Sequence, residues 1–343
     1  MAGSVQTAGE DAPAPPEPPD TSGTRAATIT DHIFRNPVLG PLGALIILII
    51  AFSIFTDNFA SVDNTSLILQ QSVVVGTLAL GQTIIILTGG IDLANGAIMV
   101  LGSLVIAKLA MDMGQQWPAM FVGLLLCALL GAISGLLVSR LGLPPFIVTL
   151  GMLTILQAAS RLYTKETVLV DNGFLTFLAK GGYLFGQFQI TFGVVVVLVS
   201  VAVLHFALTR TAWGRHVYAV GNNDLAAKRT GINVRRVLLS VYVLAGLLYG
   251  LAALQAFGRS PATSPNIFPT ANLDTITAVV IGGTSLFGGR GTVLGSYLGA
   301  LIVLVLQSGL TQAGIDPLYQ NIVTGVLVIA AVALDSITRR RAR

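Results

Sequence analysis

Between Gln82 and Ser103 the chain sets an acid, Asp92, and an amide, Asn95, beside the pair Gly89-Gly90, with apolar runs on both sides. A carboxylate at bilayer depth costs about 2.5–3.5 kcal/mol on insertion scales, so it faces protein or water rather than lipid. Irregular backbone at that depth persists only where protein buries it or where it lines a cavity. The chemistry these groups suit is passage of a polar solute, with Gln82, Asp92 and Asn95 as candidates to line or shape a path. A second set, Asp274, Thr284 and Ser285, flanks Gly282-Gly283. The competing role for both sets is structural: capping half-helices and bonding to neighbouring backbone. For Asp274 capping is the better fit, since it opens an apolar run just after Asn272.

The two sets belong to an internal repeat. Residues 89–103 and 282–296 match at eight of fifteen positions without a gap, each a Gly-Gly break, a polar step and a helix start ending in Leu-Gly-Ser. Interrupted hydrophobic segments in two halves of a chain are the best sequence pointer to a transport site. Whether the copies run parallel or inverted depends on the parity of the spans between them.

The elements that position these residues are membrane spans. Hydrophobic residues make up 54% and charged residues 10%, against roughly 25% charged in a soluble domain. Apolar runs near 37–56, 66–88, 96–111, 117–139, 144–163, 190–209, 237–257, 274–288, 291–312 and 319–336 predict an all-α polytopic bundle. Its ten or so transmembrane helices include broken or re-entrant segments, the third and eighth being short and glycine-flanked. Residues 1–36, crowded with proline, read as a disordered polar tail, residues 37–338 as the transmembrane domain, and 339–343 as a basic tail. With both termini in the cytoplasm, 14 of the 19 basic residues fall inside, as the positive-inside tendency requires. Small residues at Gly131/Gly135, Gly246/Gly250 and Gly291/Gly295/Gly299 predict close helix packing within the bundle. Gln70, Gln71, Gln82, Gln157, Gln255 and Gln307 are expected to bridge helices.

Several chemistries are excluded. Gly283 and Gly288 have the spacing of a phosphate loop, but Gly289 occupies its lysine position, so the chain does not bind ATP itself. No nucleophile elbow or H-E-x-x-H motif is present. His32, His205 and His216 are scattered, and Cys127 is the single cysteine, so no metal site and no cofactor is expected.

The inner loop 210–236 carries helix punctuation. Asn222 or Asn223 can cap a short helix, with Asp224 at its start and Lys228-Arg229 at its end. Gly231 supplies a left-handed stop. With Leu225 it reads either as a docking knob of about two turns or as a topogenic loop.

The segments LTGGIDLANG, LPPFIVTLGML, GRHVYAVGNNDLAAKRTGINV and LDTITAVVIGGTSLFGGRGT resemble the membrane permease subunits of bacterial ABC importers for monosaccharides, the ribose, xylose and fructose group. The resemblance runs from about residue 40 to 336, in order. It implies a homodimeric or heterodimeric pore, a second permease copy being the expected partner, in the lipid of the bacterial inner membrane, and an extracytoplasmic sugar-binding protein. It also implies a cytoplasmic ATPase that grips the loop around 222–230, and no nucleic acid. Branched-chain amino acids or nucleosides remain alternative cargoes, and an ion-coupled transporter with acids at Asp92 and Asp274 is the rival class.

Overall fold

A computed structural model describes residues 38–170, 177–178, 180–184 and 188–341. The expected tail at 1–36 and the last two residues lie outside them. Twelve helices follow in order: α1 (Leu39–Phe55), α2 (Val62–Leu87), α3 (Asn95–Met113), α4 (Gln116–Leu141), α5 (Pro145–Tyr163), α6 (Phe192–Arg210), α7 (Ala212–Asn222), α8 (Asp224–Arg229), α9 (Val234–Arg259), α10 (Ala271–Ile281), α11 (Val293–Gln312) and α12 (Pro317–Arg341). Seven of them, α2–α6, α9 and α11, are long and apolar enough to cross a membrane; α1, α10 and the apolar part of α12, Pro317–Ala333, are shorter. These ten coincide in order with the ten spans expected, and the protein is a multi-pass membrane protein.

Two differences have physical causes. The eighth span is an 11-residue helix, only about 16 Å long at 1.5 Å per residue. Helix α10 stops at Ile281 because the residues that follow include Gly283, Gly288, Gly289 and Gly291, all with positive φ. Helix α12 continues through Arg341, so the first residues of the expected basic tail at 339 are helical.

Helix α2 is the axis of the bundle. Every residue from Ser72 to Leu87 is buried, which suits a helix apolar on all sides. Helix α9 crosses α4 at backbone distance: a Cβ on Gly131 would overlap the Tyr242 carbonyl, and one on Gly246 the Cys127 carbonyl. The glycine pairs thus pack the interior, as do Gly295 against Gly282 and Gly299 against Ala278. The outward residues of α1 (Ile46, Ile50, Ile54), α4 (Phe121, Leu125, Leu129) and α6 (Val195, Val199, Phe206) are large and apolar, a surface suited to lipid.

Among the described residues, four short strands lie at the other end of the spans from the glycine breaks. Strand β1 (Val168–Leu169) pairs antiparallel with β4 (Ala262–Thr263), and β2 (Gly181–Leu184) with β3 (Phe188–Thr191). From β4 the chain descends alongside α3. The Thr263 hydroxyl is 2.8 Å from that of Ser103, whereas Ala271, eight residues on, already touches the Cβ position of Gly96 at the foot of α3.

Candidate functional site

The first break is held by side chains. Helix α2 ends with Gly89 at φ 81, Gly89 N–H donating to Ile86 O and Gly90 N–H to Ile85 O, the paired bonds of a Schellman stop. Residues 90–94 are then irregular, with a bend at Leu93, and α3 starts at Asn95. Within that stretch Asp92 is 1% exposed. Its Oδ1 accepts from Ala94 N–H at 2.7 Å and its Oδ2 from the Tyr249 hydroxyl of α9 at 3.1 Å. The Gln82 amide fits the Asp92 backbone with Nε2 on the carbonyl (3.0 Å) and Oε1 on the N–H (3.2 Å), the orientation that satisfies both atoms. The Asn95 amide lies 3.2 Å from that of Gln82. Around them Thr149 of α5 donates to Ile91 O at 3.0 Å and Asn272 of α10 to Leu93 O at 3.4 Å. Gln82, Asp92 and Asn95 therefore form one buried knot joining α2, α3 and α9.

The second break is held by backbone. Gly283 (φ 84) N–H donates to Val280 O and Thr284 N–H to Val279 O, so the structural partner of Gly89 is Gly283, one residue later than the gapless alignment implies. Thr284 Oγ1 sits 3.2 Å from Ser296 Oγ. Ser285 closes the loop: its N–H donates to Arg290 O and its carbonyl accepts from Gly288 N–H. Thr284 and Ser285 thus stand apart from the Asp92 knot. Asp274 forms a third group, with Oδ2 accepting from Thr270 and Oδ1 from Gln307 of α11 at 3.4 Å.

The two breaks meet each other and the 210–233 segment. Gly289 N–H donates to Leu87 O at 2.9 Å. A Cβ on Gly288 would lie 2.8 Å from both Gly89 N and Gly221 O, and one on Gly221 would overlap Leu87 O. Both breaks therefore open to the same end of the bundle, so the repeat copies run parallel. The segment itself holds two helices, not one. Helix α7, capped by Thr211 on Gly214 N–H, buries Gly214, Val217 and Val220. Trp213 Nε1 donates to Ser240 at 2.9 Å, and the Tyr218 hydroxyl donates to Gly291 O at 2.9 Å. The spacing Trp213, Val217, Val220 was the available signal for α7.

Helix α8 stands clear of the bundle. Asn223, not Asn222, is its cap, accepting from Ala226 N–H at 2.9 Å. Gly231 (φ 88) ends it, with Gly231 N–H on Lys228 O and Ile232 N–H on Ala227 O. Ala227 alone is buried; Asp224, Leu225, Lys228 and Arg229 are exposed. Beside it opens a cleft of about 430 Å³ between the α4–α5 turn, the α7–α8 joint and α9, reaching the Tyr242 ring, whose buried hydroxyl has no partner.

Three of the six glutamines bridge helices: Gln82 joins α2 to α3, Gln255 accepts from Thr77 at 2.6 Å and Gln307 reaches Asp274, while Gln70 meets Gln189 of β3 at 3.4 Å. Gln157 does not bridge helices. It is exposed on α5, bordering a small cavity near the foot of α3. Missed from sequence was Tyr249, which lies 157 residues from the acid it meets.

A bundle of membrane helices with two glycine-broken segments, both touching a helix pair that projects from one end, is a solute permease. The family described as "Branched-chain amino acid transport system / permease component" matches residues 64–332, and the chain belongs to it. It is 45% identical to the fructose import permease protein FrcC of Rhizobium meliloti over 90% of this chain and 88% of that one. It is 37% identical to the ribose import permease protein RbsC of Bacillus subtilis, over 87% and 92%. To the galactose/methyl galactoside import permease protein MglC of Escherichia coli it is 35% identical, over 88% and 95%.

Proposed function

We propose that the chain is the membrane subunit of an ATP-driven importer that carries a monosaccharide into the cytoplasm. In this reading it works as a pair of copies in the bacterial inner membrane, with both termini and α8 inside. An extracytoplasmic binding protein delivers the sugar, and a separate ATPase grips α8 through Leu225 and the surrounding charges. The observation that carries the reading is the convergence of Gly221, Gly288 and Leu87–Gly89 at one point. An exposed helix with no phosphate loop of its own is joined there by backbone to both interruptions of the membrane spans. Force applied to α8 reaches the breaks without crossing a flexible side chain, and the spans rock between two openings. Sugar as cargo is supported by the names of the relatives.

Gln82, Asp92 and Asn95 shape the passage by fixing where α3 begins. Thr284 and Ser285 close the second loop. Asp274 ties α10 to α11. Each carboxylate has both oxygens taken by protein donors, which argues against ion coupling at these acids.

The test is uptake in vesicles. With the ATPase and binding protein supplied, labelled sugar accumulates only with ATP. Accumulation by the lone polypeptide under an ion gradient would overturn the proposal.

A further inference from the structure

The small cavity bordered by Gln157 has a composition unlike the rest of the lipid-facing surface. Leu153, Gln157 and Ser160 line it from α5, at the i, i+4, i+7 spacing of one helix face. Gly96 at the foot of α3, Asn272 at the start of α10, and Phe268 complete it. Ser160 is 1% exposed and its hydroxyl has no hydrogen-bond partner, although it borders the cavity. A buried hydroxyl without a protein partner is available to bond a polar group that enters the cavity. Phe268 has φ 54, the one non-glycine residue with left-handed backbone among the described residues. It is followed by a proline, so its conformation is held against local preference, as at ligand clamps.

The exposed face of α5 tells which way the cavity opens. The outward side of α5 is mixed: Ile147, Leu150, Ile155 and Leu162 are exposed on it, but so are Thr154, Gln157 and Arg161. An amide at membrane depth with no protein partner does not face lipid; it faces water or another copy.

We infer that Gln157, Ser160 and Asn272, with the Phe268 ring beside them, form half of a binding site for a neutral polyhydroxylated ring inside the translocation passage. The inference rests on the importer reading above and names the residues that hold its cargo. The lining holds no charged side chain, so an amino-acid zwitterion finds no counter-charge there, whereas sugar hydroxyls find two amides and a hydroxyl. The space is about 40 Å³, room for a few waters at roughly 10–15 Å³ each. It takes a hydroxyl or hydroxymethyl group, not a whole ring. The facing α5 of the second copy supplies the other half.

Cys127 is buried, so Gln157→Cys can be labelled selectively in the full transporter with ATPase and binding protein present. A membrane-impermeant maleimide should label Gln157→Cys and not Leu125→Cys on the apolar face of α4. D-fructose or D-ribose carried by the binding protein should slow the labelling several-fold. In parallel, Gln157→Leu should cut uptake about 3- to 10-fold at saturating binding protein, the loss of one hydrogen bond, and change the fructose-to-ribose ratio. If wild-type vesicles take up neither sugar, the importer reading fails and this site falls with it. If they take it up but Gln157→Cys stays unlabelled, or labels without protection by sugar, the site alone is refuted.

Discussion

If Asp92 is a clasp on the start of α3, its energy lies in a bond that a double-mutant cycle can isolate. Tyr249→Phe keeps a fully buried ring packed over Gly81 and removes only the hydroxyl. Asp92→Ala strands that hydroxyl and the Ala94 N–H, both buried and otherwise without an acceptor. At about 1–3 kcal/mol for each unsatisfied buried group, the first change should cost about 1–3 kcal/mol and the second about 2–6. In the double variant neither the hydroxyl nor the Asp92 Oδ2 remains and only the Ala94 N–H is stranded, so the cost should fall short of the sum by about 2–6 kcal/mol. The assay is unfolding in mixed micelles with graded denaturing detergent, followed by the fluorescence of Trp213. Additivity to within about 0.5 kcal/mol would refute the clasp. Stable variants that transport with altered sugar preference would place Asp92 in contact with cargo instead.

Three further outcomes follow from the same contacts. Tyr218→Phe deletes the bond to Gly291 at about 0.5–1.5 kcal/mol; the protein should fold normally while sugar moved per ATP drops, and an unchanged ratio counts against that link. Gly246→Leu drives a side chain into the Cys127 carbonyl, so at least about 1–3 kcal/mol of stability should be lost, visible as a lower melting point. Lys228→Cys should react with impermeant maleimide in inside-out vesicles and not in right-side-out ones; the reverse pattern would invert the orientation.

The architecture was legible because bilayers impose a coarse rule on sequence: an apolar run of the needed length spans, and glycine pairs interrupt it. That located the end of α2 within one residue, whereas the span expected over 274–288 is a helix that already ends at Ile281. Less legible was anything settled between distant segments. The Asp92–Tyr249 bond joins residues 157 apart, and Tyr249 sits in a run of leucine, alanine and glycine that offers no hint of a polar partner. Helix α7 hid for another reason: its basic loop satisfies the positive-inside pattern, which masks the Trp213–Val217–Val220 stripe. The one-residue shift between the breaks is also invisible in the alignment, because Gly89 and Gly283 are each one of a pair and only φ tells which glycine makes the left-handed turn.

The two breaks look alike in sequence but are secured differently, and this bears on which of them moves. The first is clamped by Gln82, Asp92, Asn95, Tyr249 and Thr149, groups that must all let go together for α3 to shift. The second is a glycine loop lying against Gly221 and Leu87, with Tyr218 holding Gly291. Thr284 bonds to Ser296 at the start of α11 and Tyr218 of α7 to Gly291, so this loop can move as a unit with those two helices, and displacement of α8 should pass first into residues 282–292. From there it reaches α10, whose other end carries Asn272 to the Leu93 carbonyl and to the cavity beside Gln157. At 11 residues, α10 is a stiff rod between the driven end of the protein and the proposed sugar half-site. It does not tilt alone: Asp274 reaches Gln307 and the Ala278 carbonyl lies against Gly299, so α10 carries α11 with it.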